Sequence, residues 1–170
     1  KIKYKLIKRK ESYAEGRLIR IINRSVIEKK TTFQSISGAP YSTLDISFQH
    51  ELKKKQVFEL ITKIGGVKHI EQKFDTFIQS PLIWHYRNKM DYSFSSIGYI
   101  KKTNTVVDEF SLGFKKINTW WMVENLEKDS GLFDKTWENS IKNIRKYCAE
   151  TGLAAWNIPQ KKGFFRNLVV

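Results

Sequence analysis

From Tyr86 to Phe94 the chain runs Tyr-Arg-Asn-Lys-Met-Asp-Tyr-Ser-Phe, a period-two pattern that reads as a β-strand. Tyr86, Met90, Tyr92 and Phe94 fall on one face, and Arg87, Lys89, Asp91 and Ser93 on the other. Phe110, Leu112 and Phe114 repeat the same even parity, so a second strand is expected to turn its rings toward the same core. Around these two runs the sequence predicts an antiparallel meander with strands at about 85–95, 97–103, 105–115 and 119–125 and a Lys101-Lys102-Thr103-Asn104 turn. A last strand is expected over 163–170.

Two helical patterns flank the meander. The first starts at Ser47 as N-cap, carries Val57, Leu60, Ile61 and Ile64 at helical spacing, bears Lys53-Lys54-Lys55 on its other face and stops at Gly65-Gly66. The second spans roughly 131–151, with Phe133, Trp137, Ile141, Ile144 and Cys148 on one stripe and Gly152 past its end. The fold class that follows is α+β: an antiparallel sheet packed with two main helices. Ahead of it, Ile2, Tyr4 and Leu6 alternate with lysines, and Gly16 to Ile22 returns as a second strand, making an N-terminal β-hairpin. Two strands alone are marginal, so the hairpin is expected to pair with something else. Residues 31–44, rich in Ser, Thr and Gly, read as the loop that joins it to the main body.

Composition bears on partners. Formal net charge is +14, and residues 1–30 hold seven Lys and four Arg against three Glu, more than half of the excess. A solvated, highly soluble surface explains any lysine-rich stretch. Such concentration in one segment favours instead an electrostatic footprint for a polyanion, nucleic acid before membrane. Aromatics at 14% and hydrophobics at 41% exclude a disordered polyelectrolyte. No window approaches the roughly 20 apolar residues of a membrane span, and the N-terminus lacks a signal-type apolar stretch, so a cytoplasmic protein is expected.

Chemistry is harder to find. His50, His69 and His85 share no ligand spacing with Cys148 or a carboxylate, and Cys148 lies on an apolar helical stripe as a small core residue. No glycine-rich phosphate loop and no catalytic triad is present. Trp120 and Trp121 are strand neighbours and face opposite ways, so one packs and the other is free to serve as a stacking platform.

Taken in order, Tyr86-Arg87-Asn88-Lys89-Met90, Leu112-Gly113-Phe114-Lys115-Lys116 and Gly163-Phe164-Phe165-Arg166-Asn167-Leu168-Val169-Val170 resemble the RNA (uracil-5-)-methyltransferase family, whose members make 5-methyluridine in ribosomal or transfer RNA. Tyr13-Ala14-Glu15-Gly16-Arg17-Leu18 resembles the second half of that family's TRAM β-barrel. Gly38-Ala39-Pro40-Tyr41 with Phe48-Gln49-His50-Glu51-Leu52 resembles the stretch where many members carry cysteines for a four-iron cluster. Those cysteines are replaced here, so no iron–sulfur cluster is expected.

The resemblance implies two parts, a partial TRAM-like segment over 1–30 and a central RNA-recognition domain over 31–170. It implies that a Rossmann-like catalytic domain, with its S-adenosylmethionine site and nucleophilic Cys, follows Val170 in the parent enzyme. By this reading the chain binds single-stranded or loop regions of rRNA or tRNA as a monomer, holds no cofactor itself and carries no catalytic residue. The expected RNA contacts are Arg87, Asn88, Lys89, Lys115, Arg166, Asn167, Arg17 and Arg20. A stand-alone nucleic-acid-binding module with no enzymatic role is the alternative that charge and aromatics serve equally well.

Overall fold

Alternation at the N-terminus does produce a hairpin. A computed structural model describes residues 1–170, and in it β1 (Ile2–Arg9) pairs antiparallel with β2 (Ala14–Ile21). The register sets Lys3 opposite Arg20 and Lys5 opposite Arg17 on one side, with Ile2 opposite Ile21 and Tyr4 opposite Leu18. Every residue of both strands is exposed, and no other strand or helix packs on the pair. Like charges directly opposite destabilise a ladder, and the apolar positions have nothing to cover them. Backbone pairing therefore holds the hairpin with little help from its side chains.

The segment after the hairpin is more than a tether. Ile36, 4% exposed, enters the core, and Phe33 packs on Trp84 with ring centroids 4.5 Å apart. Gln34 clamps the far side: its Nε2 donates to the Asn125 carbonyl at 2.7 Å and its Oε1 accepts from the Glu127 amide at 2.8 Å. The loop expected over 31–44 is irregular, as its composition says, yet it contributes to the core of the main body.

Helix α1 (Ile46–Lys63) is capped by Asp45, two residues earlier than the Ser47 cap expected from sequence. Asp45 Oδ1 accepts from the Ser47 amide at 3.1 Å and from the Ser47 hydroxyl at 2.7 Å, so Ser47 is the donor in the cap and not its acceptor. The Lys29 ammonium, 2.5 Å from the other oxygen, and these Ser47 bonds hold the Asp45 carboxyl far below the usual carboxylate range. The stripe of Val57, Leu60, Ile61 and Ile64 is a second correction, because all four stay exposed. Packing comes from another face: Phe58 meets Phe74 at 5.2 Å and His50 meets Phe77 at 4.7 Å, next to the short α2 (Ile70–Lys73).

The main sheet is built on β3 (Asp91–Ile100), flanked by β4 (Thr105–Lys115) and β6 (Asn167–Val169), with β5 (Val123–Asn125) along the end of β4. The strand expected over 85–95 begins only at Asp91 and continues through the region expected as a separate strand. His85 takes a left-handed φ of 54°, and the backbone there bonds to a neighbouring turn instead of a strand: His85 N–H to the Gly131 carbonyl at 2.8 Å, Arg87 N–H to the Leu132 carbonyl at 3.1 Å. Tyr86 is 52% exposed, so it does not share the core face with Met90, Tyr92 and Phe94, which are buried. Asn118 at φ 63° delays β5 to Val123, and Gly163 at φ 133° delays β6 to Asn167.

Helix α3 (Lys135–Glu150) covers β4, capped by Asp134 accepting from the Trp137 amide at 2.8 Å and followed by Gly152 at φ 74°. Ile141 is fully buried, and Trp137, Ile144 and Cys148 pack around the core as the periodicity predicts. With Tyr92, Leu112 and Leu126 also at 0% exposure, the α3–sheet layer holds the core, each such side chain contributing about 1.5–3 kcal/mol by burial. The architecture is α+β, as expected, with α1 standing beside the sheet layer against α2 and the 74–77 segment.

Candidate nucleic-acid interface

On the odd-parity face of the sheet, Ser93 of β3 lies directly opposite Asn167 of β6. Their side chains line a cleft of about 190 Å³ together with Lys115 from the end of β4, Trp120, Trp156 and Arg166. Period-two geometry explains the gathering: Tyr92, Phe94, Leu112 and Leu168 turn inward, which sends Ser93, Lys115 and Asn167 outward. Trp156 is delivered by a tight return of the chain. Asn157 and Lys162 close that return with backbone bonds of 2.7 and 3.3 Å, and the Trp156 amide donates to the Phe165 carbonyl at 2.8 Å.

Arg166 then lies over the Trp156 ring, its guanidinium carbon 5.1 Å from the centroid. An exposed cation–π pair of this kind contributes roughly 0.5–1 kcal/mol and keeps the guanidinium plane available for a further ring. Trp120, 58% exposed, meets Trp121 edge-on at 5.5 Å, while Trp121 is half-buried and its carbonyl accepts from Ser95 Oγ at 3.0 Å. One tryptophan of the pair anchors and the other is left as a free ring. No carboxylate lines the cleft, and neither Lys115 nor Arg166 has an acidic partner. Cations without partners beside two accessible rings suit a polyanion that also carries aromatic bases.

Of the eight residues expected to contact RNA, the structure brings Lys115, Arg166 and Asn167 together and leaves the others apart. Arg87, Asn88 and Lys89 are exposed in the loop that precedes β3, not on one face of a strand, and the Arg87 guanidinium lies 3.8 Å from Met90 Sδ. Arg166 faces Phe94 across the β3–β6 ladder, through the Phe94 amide at 3.0 Å. Lys89 lies ahead of the start of β3 and is not among the residues that line the cleft. Arg17 and Arg20 sit on the hairpin opposite Lys5 and Lys3. Trp156 was not among the expected contacts, and no local sequence pattern pairs it with Arg166.

A buried polar cluster also escapes periodicity. Glu138, 1% exposed on α3, accepts from Tyr92 Oη at 3.0 Å, the Ser130 amide at 2.5 Å and Ser130 Oγ at 2.8 Å. Burial pushes its carboxyl up, partly offset by these bonds, and burial followed by the neighbouring Glu138 raises Tyr92. Asp129 accepts from the Gly131 amide at 2.6 Å and lies 2.9 Å from His85 Nε2. Each member is satisfied within the protein, so the cluster fixes the 129–134 turn under the sheet. No group of three His, Cys, Asp or Glu is placed to hold a metal ion, and no helix is long and apolar enough to cross a membrane. The Cys148 thiol is raised by burial.

Comparison with known proteins gives a consistent picture. No family model matches the chain. Curated relatives named as uncharacterized RNA methyltransferases match nearly all of it: one from Caldanaerobacter subterraneus is 28% identical over 96% of this chain, and one from Chlorobaculum tepidum is 26% identical over 100% of this chain. Another, from Fusobacterium nucleatum, is 27% identical over 99%. The chain spans about a third of these relatives, 34%, 36% and 34% of their lengths. Among solved structures, the tRNA (uracil-54, C5)-methyltransferase of Pyrococcus abyssi in complex with S-adenosyl-L-homocysteine aligns over 97% of this chain and 33% of its own, with a TM-score of 0.58 and 21% identity. That likeness shows the fold. The resemblance to RNA methyltransferases read from the motifs thus extends through the chain.

Proposed function

We propose that this chain is the RNA-binding, substrate-recognition portion of an S-adenosylmethionine-dependent (uracil-C5)-methyltransferase acting on rRNA or tRNA in the cytoplasm. Residues 1–30 form a partial TRAM-like segment in this reading and 31–170 the central recognition domain. The carrying observation is the cleft in which Lys115, Arg166 and Asn167 meet Trp120 and Trp156 with no carboxylate among them. Relatives named as RNA methyltransferases support the same conclusion.

Recognition is a matter of phosphate and base together. Lys115 and Arg166 neutralise backbone phosphates, Trp120 and the Arg166–Trp156 stack receive unstacked bases, and the Asn167 amide offers donors and an acceptor to a base edge. Duplex RNA hides its bases, so single-stranded or loop RNA is the preferred form. Arg87, Asn88 and Lys89 extend the footprint in the loop ahead of β3, and Arg17 and Arg20 add a cationic ribbon. The residues of this chain do not fit S-adenosylmethionine, because no strand leads through a glycine-rich turn into a helix N-terminus. The cofactor and the methyl transfer belong in this proposal to the part of the relatives' length that the chain does not span.

The test is fluorescence anisotropy with single-stranded and duplex RNA of equal length. Single strands should bind more tightly, with affinity falling steeply as salt rises. Lys115→Glu with Arg166→Glu should weaken binding at least tenfold at low salt while the circular dichroism spectrum stays unchanged. Equal affinity of the double variant and the unaltered protein would remove the cleft from the binding surface.

A further inference from the structure

A second concavity, of about 410 Å³, opens between α1 and the 77–86 segment, away from the cleft described above. Five rings line it, Tyr41, His50, Phe77, Trp84 and Tyr86, among aliphatic and small residues. Trp84 is held from behind by Phe33 at 4.5 Å, and His50 is tilted on Phe77 at 4.7 Å, so two of the walls are set before any ligand arrives. Gln49 also lines the pocket. Its Nε2 donates to the Tyr41 and Leu44 carbonyls at 3.1 and 3.0 Å, which leaves Oε1 as an unpaired acceptor.

Among the lining residues Lys53 is the one cation. Lys53 lines the opening without an acidic partner, none of the lining residues is a carboxylate, and exposed Arg87 and Lys89 follow closely on Tyr86. An interior of small-ligand size with five rings, an unpaired lysine at its lining and two basic residues just past Tyr86 in the chain matches a planar aromatic group carried on a polyanion. A purely apolar peptide would leave those cations without a role.

We propose that this pocket takes one unstacked nucleobase of the bound RNA, stacked against Tyr86 with Gln49 Oε1 accepting from a base N–H, while Lys53, Arg87 and Lys89 hold the flanking phosphates. The inference rests on the RNA-binding reading above and gives a role to the two basic positions that the cleft does not use.

Photocrosslinking tests it directly. A short oligouridine containing 4-thiouridine is irradiated with the whole chain, and crosslinked peptides are mapped by mass spectrometry. In parallel, an abasic scan of the same oligouridine is measured by anisotropy against unaltered protein and Tyr86→Ala, a change at a half-exposed site that spares the core. Crosslinks on the Trp84–Tyr86 peptide are expected, with about fivefold or greater weakening by Tyr86→Ala and one abasic position whose loss is not repeated in the variant. Crosslinks confined to Trp120 and Trp156, with Tyr86→Ala binding as before, would overturn the pocket assignment and leave RNA binding intact; a protein segment as the true occupant gives that same result. Absence of any RNA binding at low salt would overturn the broader reading and this one with it.

Discussion

Tyr92 and Glu138 meet beneath the sheet, the phenol donating to the carboxyl at 3.0 Å, and both side chains are buried. This bond ties the start of β3 to α3, and through Ser130 it ties both to the turn that supports the loop ahead of β3. Glu138→Ala strands the Tyr92 hydroxyl and the Ser130 amide, each costing about 1–3 kcal/mol when left unsatisfied in the interior. Denaturant titration should show a loss of at least about 2 kcal/mol on the same basis.

The same carboxyl makes stability depend on pH. Burial raises its folded-state pKa above the unfolded value, so its contribution is complete below the ordinary carboxylate range and declines as pH rises through the raised value. Compared with Glu138→Gln, which cannot titrate, the unaltered protein should lose relative stability as pH increases across that window. Thermal melts of both at a series of pH values read this directly, and an unaltered protein that instead gains on the variant with rising pH would contradict the burial-driven shift.

Charge and stacking in the cleft should separate by salt dependence. Lys115→Ala is expected to reduce the slope of log affinity against log salt by about 0.7 for each phosphate that the ammonium neutralises. Trp120→Ala should leave that slope unchanged while costing about 1–3 kcal/mol of binding. A changed slope in the Trp120 variant would mean the ring positions a cation instead of a base.

The hairpin should respond to charge in two opposed ways. Lys3 and Arg20 face each other across β1 and β2, so Arg20→Glu exchanges a repulsive pair for an attractive one and should stabilise the hairpin by a few tenths of a kcal/mol. The same change should weaken RNA binding. Amide exchange of β2 and anisotropy, measured on one protein, check both signs.

Gly113 is required for a steric reason. A Cβ there would overlap the Glu124 carbonyl oxygen and lie 2.6 Å from the Leu126 nitrogen, both backbone atoms of the segment that pairs with β4. Gly113→Ala should therefore cost about 3 kcal/mol, toward the upper end for overpacking, or prevent folding, with the loss visible in the thermal midpoint.

Sequence patterns were most reliable where one face of an element is buried. Phe110, Leu112 and Phe114 on β4 and Ile141 and Cys148 on α3 pack on the sides their spacing indicates, because the core enforces the period. Val57, Leu60 and Ile61 show the converse, a helical stripe that nothing in this chain covers. Tyr86 departs from its pattern for another reason: a left-handed His85 breaks the extended run, and no local rule announces a positive φ at histidine. At the cleft, Lys115, Arg166 and Asn167 were visible as polar positions near signature strands. Their meeting with Trp156 depends on a return of the chain through Gly163 that only tertiary structure shows.

Pairing of β3 with β6 also sets an order of events during synthesis. Asp91 meets Val169 and Tyr92 meets Leu168, partners that emerge from the ribosome roughly 80 residues later, several seconds at ~5–20 residues per second. Until then the edge of β3 is an open template beside the Phe94 and Phe110 rings, which wait for Phe165 to cover them. The nascent chain thus passes through an interval in which its most aromatic strand is sticky and incomplete. Slower translation lengthens that interval, making the yield of folded protein sensitive to elongation speed and to chaperones that shield a naked strand edge.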